Sequence, residues 1–334
     1  MGVLRLLLTS TALLAIAGPA LATEDITSVT TATTTGSPSS AEGYTFDNVQ
    51  QSVTSVTTAT NTYQVLSAAD NVFVRRNSVS NDQSSVWYTT SGVGTDLSGI
   101  HQADYGQMLL SNNVLLGSDN TFANGTDFTT GNIERIDFTW NSPVTVSNSF
   151  ALVVFERGAV GVHDSFAIAA VTAIDGAGNP TAFGPLLIVA AGWGGSANAI
   201  NDFTYRLFRY NNGNNTSTST DSSATLTQGL GGILITAADL GLTIGTTIYG
   251  YSLMASDVTA TNSAQLLDWT NSTYFPTNTD ATTGGNGLDL AAVNGLPLGI
   301  APEPPPSAAL LGAFTLLVCL CHQVRQRLAS KQKS

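Results

Sequence analysis

Cysteine is almost missing from this 334-residue chain: Cys319 and Cys321 are the only two, and both lie close to the C-terminus. Everything ahead of them therefore lacks a disulfide framework, a thiolate zinc site and a cysteine nucleophile. Lysine occurs only at Lys331 and Lys333, and between residues 23 and 303 six arginines stand against all 23 carboxylates. A surface so acidic repels phosphate backbones and anionic lipid headgroups, which excludes nucleic acid as a partner. Charged residues of both signs reach only 10%, too few for a coiled coil or a long solvated helix. Histidine is reduced to His101, His163 and His322. Nucleophile elbows are absent: Gly194-Gly-Ser196-Ala-Asn198 and Gly250-Tyr-Ser252-Leu-Met254 each lack the closing glycine. His-Glu-x-x-His and Walker loops are missing as well. No catalytic motif is assembled in the sequence.

What is present is 43% apolar residues, 32 glycines and abundant Thr, Ser and Asn, enough to bury a core in short strands broken by turns. In Glu134 to Trp140, Ile136, Phe138 and Trp140 alternate with Arg135, Asp137 and Thr139, the period of two that places one set on each face of a sheet. Phe150 to Phe155 and Phe166 to Ile174 are continuously apolar, as strands buried on both faces are. Further strands are expected at Asn71 to Arg75, Val86 to Thr90, Met108 to Leu116, Leu186 to Ala190, Tyr205 to Tyr210, Ile233 to Thr236 and Thr247 to Ala255, with one helical turn near Ala237 to Leu240. Many short strands with turn punctuation predict an all-β body, a β-sandwich or jelly-roll-like extracellular domain.

Both ends read as addresses. Arg5, the apolar run Leu6 to Ala17, Gly18-Pro19 and Ala20-Leu21-Ala22 follow the order of a secretory signal, with signal peptidase fitting Ala20 and Ala22 and cutting after Ala22. At the other end Pro302-Glu303-Pro304 stands before the apolar run Ala308 to Cys321, and Arg325, Arg327, Lys331 and Lys333 follow. Proline keeps the first segment extended, the apolar run forms a single membrane helix, and the basic residues hold the tail on the cytoplasmic side.

This tripartite ending resembles the PEP-CTERM sorting signal of Gram-negative bacteria that make extracellular polysaccharide. The resemblance implies processing at Pro302, Glu303 and Pro304 by an exosortase, a membrane transpeptidase-like enzyme, and transfer from the inner membrane to the cell surface or matrix. The blocks Ile248-Tyr-Gly-Tyr-Ser-Leu253, Asp268-Trp269-Thr270-Asn271 and Gly284-Gly-Asn-Gly-Leu-Asp-Leu290 look like the distal part of the extracellular domains of such proteins.

The resulting division is a signal peptide at 1–22, a Thr/Ser-rich stem or first strands at 23–62, a body at 63–297, a Pro-rich linker at 298–307, a membrane helix at 308–324 and a basic tail at 325–334. Ten of the fourteen residues from Thr27 to Ser40 are Thr or Ser, which suits a flexible or glycosylated stem. The heptapeptide Thr-Ser-Val-Thr-Thr-Ala-Thr occurs twice, at Thr27 to Thr33 and Thr54 to Thr60.

Three functions stay open. A non-enzymatic structural or adhesive role in the matrix follows from the addresses. A carbohydrate-binding module would stack sugar rings on Trp87, Tyr88, Trp193, Tyr210 and Trp269, with calcium held in the oxygen-rich loops Asp119-Asn120, Asp175 to Asn179 or Asn278 to Asp280. A secreted glycoside hydrolase or lyase would need two facing carboxylates, first among Glu134, Asp137, Glu156 and Asp164. The neighbours Glu156-Arg157 read as a solvated or ion-paired strand end, and His101 and His163 as loop residues. No metal or other cofactor is expected, and extracellular polysaccharide is the partner class.

Overall fold

The structure, a computed structural model, describes residues 23–35, 39–41, 44–46, 49–76, 83–89, 106, 109–110, 112–122, 133–159, 161–194, 200–211, 216–219, 226–276, 287–291 and 293–300. Ala20, Ala22, His101, Asn278 to Asp280, Pro302, Glu303, Pro304, Cys319, Cys321, Arg325 and Arg327 lie outside the described residues.

The body is all-β. In chain order its strands are β1 (Glu24–Thr35), β2 (Ser39–Ala41), β3 (Tyr44–Phe46), β4 (Val49–Thr58), β5 (Thr62–Val65), β6 (Asn71–Arg76), β7 (Gln83–Thr89), β8 (Leu116–Asp119) and β9 (Ile133–Thr145). They continue with β10 (Phe150–Gly158), β11 (Phe166–Ile174), β12 (Pro180–Val189), β13 (Ile200–Asn211), β14 (Thr216–Ser219), β15 (Leu226–Thr236), β16 (Thr247–Ala255) and β17 (Pro297–Ile300). A short helix, α1 (Ser263–Leu267), precedes β17. The large sheet runs β1-β4-β5-β17-β10-β15-β13-β7-β8, with β14 on β13. Glu24 and Asp25 return to Leu234 and Ile233 of β15, so β1, β4, β5, β17, β10 and β15 close into a six-stranded barrel. Closure satisfies backbone groups that an open edge would leave to solvent. The second sheet runs β12-β11-β16-β9-β6, and β2 and β3 form a separate hairpin.

The sequence pattern explains how the sheets meet. On β9 the apolar set Ile136, Phe138 and Trp140 enters a core shared with Leu152 and Val154 of β10 and Ile233 and Ile235 of β15. Strand β11 is apolar except for Thr172 because it divides two cores. Phe166, Ile168 and Ala170 join the shared core. Ala167, Ala169 and Val171 face a second one with Phe183, Leu266 and Phe275. That second core is capped by residues 256–276, which carry α1.

Several expectations need correction. Residues 237–240 form a turn, and the helix lies at Ser263–Leu267. Asn262 caps it by accepting from the Gln265 backbone N–H, while Gln265 Oε1 accepts from the Thr261 N–H at 2.7 Å. This reciprocal cap, followed by two leucines, was the available helix signal. A strand occupies Leu116–Asp119 rather than Met108 to Leu116. Asn113 Oδ1 accepts the N–H of Leu115, a local bond that competes with a ladder, and that of Gln51 beside the isolated bridge Ser52↔Asn113. The Thr/Ser tract is strand over 24–35, since β-branched threonines fit a pleated ladder and pair here with β4. The boundary drawn at 297/298 falls within β17, whose Leu298 is buried opposite Ala151. Among the described residues no helix is long and apolar enough to cross a membrane.

Candidate functional site

The densest polar chemistry gathers around Arg157, at the end of β10. The bridges Gly117↔Ala291 and Glu156↔Leu290 join the two ends of the strand series β10-β15-β13-β7-β8 through residues 290–291. Side chains from several of these strands converge. The Arg157 guanidinium donates from Nη1 to Gln228 Oε1 at 2.8 Å and from Nη2 to Asp289 Oδ2 at 2.5 Å and to Asp119 Oδ1. It lies over the Tyr205 ring at 3.8 Å and near that of Trp87 at 5.7 Å. Tyr205 donates its hydroxyl to the same Gln228 oxygen at 3.0 Å. Asn120 ties the acids together: it adopts a left-handed conformation (φ 50°), gives its N–H to Asp289 Oδ1 at 2.8 Å and its amide to Asp119 Oδ2 at 3.1 Å. Asparagine tolerates that conformation better than most residues.

A further acid pair adjoins this cluster. Glu156 Oε2 accepts from the Asp164 N–H at 2.9 Å and Oε1 from the Asp289 N–H at 3.3 Å. Burial, then the negative charges of Asp164 and Asp289, push Glu156 well above the usual carboxylate range. Asp289 is driven well upward by burial although Arg157 pulls it down. Asp119 and Asp164 are also raised, in each case chiefly by burial. One guanidinium thus stands among four acids whose proton affinity is raised, chiefly by burial.

His163 lies beside this group in the loop between β10 and β11, a loop residue as expected, and it is buried. Its ring stacks on Trp193 with centroids 4.6 Å apart, and its Nδ1 lies 2.8 Å from the Trp193 carbonyl. A carbonyl only accepts, so Nδ1 carries the proton. The ring fits because glycines line its slot: a Cβ on Gly194 would meet Nδ1 at 2.3 Å, and one on Gly231 would meet Cε1 at 2.1 Å. Burial lowers the imidazole's proton affinity. Trp193 in turn donates to the Asp164 carbonyl at 2.7 Å.

The other candidate residues go elsewhere. Asp137 accepts from Arg75 Nε at 2.9 Å, Arg135 Nε at 2.6 Å, Arg135 Nη2 at 3.2 Å and Ser252 Oγ at 2.6 Å. Arg135 reaches on to the Leu266 carbonyl, under α1. Glu134 is pushed up to about 8, first by burial and then by Asp257. Glu156 and Arg157 are not a solvated strand end: both are buried, and Arg157 is ion-paired with Asp119 and Asp289.

The aromatic platform is also corrected. Trp87 is completely buried against Tyr205 and Arg157, and Trp193 is buried against His163 and Phe166, so neither can offer a ring face to a sugar. Trp269 is partly buried against the second core. The side chains of Tyr88 and Tyr210 lie outside the described residues. Of the oxygen-rich loops, Asp119-Asn120 serves Arg157 and Asp289. Asp175 accepts from the Ala177 and Asn179 N–H groups at 2.9 and 2.8 Å, which lowers its proton affinity. Among the described residues no group of three or more His, Cys, Asp or Glu is arranged to hold a metal ion.

Sequence reasoning missed Tyr205, Gln228 and Asp289. The one available signal was an acid inside an apolar frame, Leu288-Asp289-Leu290. The fold defines the class, an all-β protein with a closed barrel. Compared with protein-family models, curated proteins and solved structures, the chain matches none.

Proposed function

We propose that the chain is an exported, non-enzymatic protein of the bacterial cell surface or extracellular matrix, sorted through its PEP-CTERM-like ending. In this reading a signal peptidase cuts after Ala22, the helix at 308–324 holds an inner-membrane intermediate, and an exosortase acts at Pro302-Glu303-Pro304. The displayed body is a β-sandwich of jelly-roll type, and extracellular polysaccharide is its partner class. The observation that carries the reading is the ordered C-terminal series of Pro-Glu-Pro, apolar run and basic tail.

The buried chemistry supports a structural role. Arg75 ties β6 to Asp137 of β9, Arg135 links that same Asp137 to the Leu266 carbonyl under α1, and Arg157 ties β10 to Asp119 of β8 and to Asp289. The acid pair Glu156 and Asp164 is the one feature that favours a hydrolase. Glu156, however, is buried, and its two carboxylate oxygens each accept a backbone N–H, one from Asp164 and one from Asp289, as in a structural brace.

The test is expression with and without a partner exosortase, followed by mass spectrometry of the C-terminus. Truncation near residue 302 and release from the inner membrane, both dependent on the enzyme, support the proposal. An intact, membrane-retained chain in both cases overturns it.

A further inference from the structure

We infer that the outer edge of β1 pairs with β1 of a second copy of this chain, antiparallel across a two-fold axis. Among the described residues Ser28 to Thr35 pair with β4 on one side and with no strand on the other, because β15 reaches only Glu24 and Asp25. Ala32, Thr33, Thr34 and Thr35 are exposed at successive positions, so solvent reaches both faces of the strand as well as its edge. An open row of N–H and C=O groups on a β-prone segment is a template for another strand, and proteins usually block it with charge or proline. The edges of the second sheet are blocked in this way: β12 carries Pro180 and Pro185, and β6 carries Arg75 and Arg76. From Ser28 to Thr35 β1 has neither.

The occupant is indicated by the strand already paired with β1. The heptapeptide Thr27 to Thr33 recurs at Thr54 to Thr60, and the ladder sets Val29 opposite Val56, Ser28 opposite Thr57 and Thr30 opposite Ser55. Val56 is the counterpart of Val29, Ser55 of Ser28 and Thr57 of Thr30. The same sequence therefore pairs antiparallel with itself inside the molecule, across a local pseudo-two-fold at the two valines. A second β1 would continue that ladder on the open side. Charge permits the approach: the chain carries −12 at pH 7, yet this edge is uncharged. An antiparallel arrangement centred on Thr31 or Ala32 sends the Glu24-Asp25 pairs to opposite ends and clears β15. Such an isologous contact closes as a dimer.

The test places single cysteines at each position from 28 to 35 in the full-length chain carrying Cys319→Ser and Cys321→Ser, with mild oxidation and non-reducing electrophoresis. Ile244→Cys is the control, since Ile244 is exposed away from this edge. Facing residues of an antiparallel pair lie within disulfide range, so one sharp maximum of covalent dimer is expected at one or two adjacent positions. In that cysteine variant, adding lysines at two flanking exposed positions should abolish the dimer while leaving the circular dichroism spectrum unchanged. Cross-linking no greater than the control, equal cross-linking at every position, or a dimer that survives the lysines would overturn the inference.

Discussion

Two buried arginine clusters brace this body with opposite charge arithmetic. Around Asp137 two guanidiniums and a serine hydroxyl converge on one carboxylate. Around Arg157 a single guanidinium serves Asp119 and Asp289 while Glu156 and Asp164 crowd beside it. The first cluster sets two cations on one acid. The second sets several buried acids around one cation, and burial raises their proton affinity. The same residue types therefore make a clamp in one sheet and a pH-sensitive joint in the other, and burial with the ratio of arginine to acid decides which.

The largest expected effect breaks the joint. Arg157→Met leaves Asp119 and Asp289 buried without their cation and should cost about 3–5 kcal/mol in urea unfolding at pH 7. Because those acids already favour protonation, part of the loss should return at pH 5. Asp137→Asn keeps an acceptor oxygen but removes the charge between two arginines; a loss of about 1.5–3 kcal/mol is expected from weaker charge-assisted bonds, with no recovery at pH 5.

The third prediction concerns pH alone. Glu134 rises from its ordinary 4.5 to about 8, so folding favours its protonated form. Its contribution is fully present below about 4.5 and is lost as pH climbs through about 8. Between these limits the urea midpoint of the native protein should rise as pH falls, and Glu134→Gln should flatten that slope. An unchanged slope would assign the pH dependence to the acids near Arg157. Asp175→Ala, in an exposed turn distant from both clusters, should give the smallest change in midpoint.

The all-β character was legible because alternation in β9 and unbroken apolar runs in β10 and β11 report burial directly. The barrel was not legible. Its closure rests on Glu24 and Asp25 meeting β15, a pairing across about two hundred residues that no local pattern encodes. The Thr-rich tract left stem and first strands both open for a related reason: threonine composition suits a solvated stem and an exposed strand alike, and only the partner β4 distinguishes them. At the candidate site, Glu156 and Asp164 could be named because they flank a short loop. Asp119, Gln228 and Asp289 are brought to Arg157 by strand order, and the aromatic platform failed because Trp87 and Trp193 fill space beside buried polar groups.

The last described strand also sets how the body bears load. β17 lies between β5 and β10, bonded to Leu66 on one side and paired through Phe150, Ala151 and Leu152 on the other. A force applied to the chain beyond residue 300 pulls on a stave of the barrel rather than on a loose end. Tension must shear two ladders together before the body yields, so a pulling experiment from the C-terminus should record a single cooperative rupture.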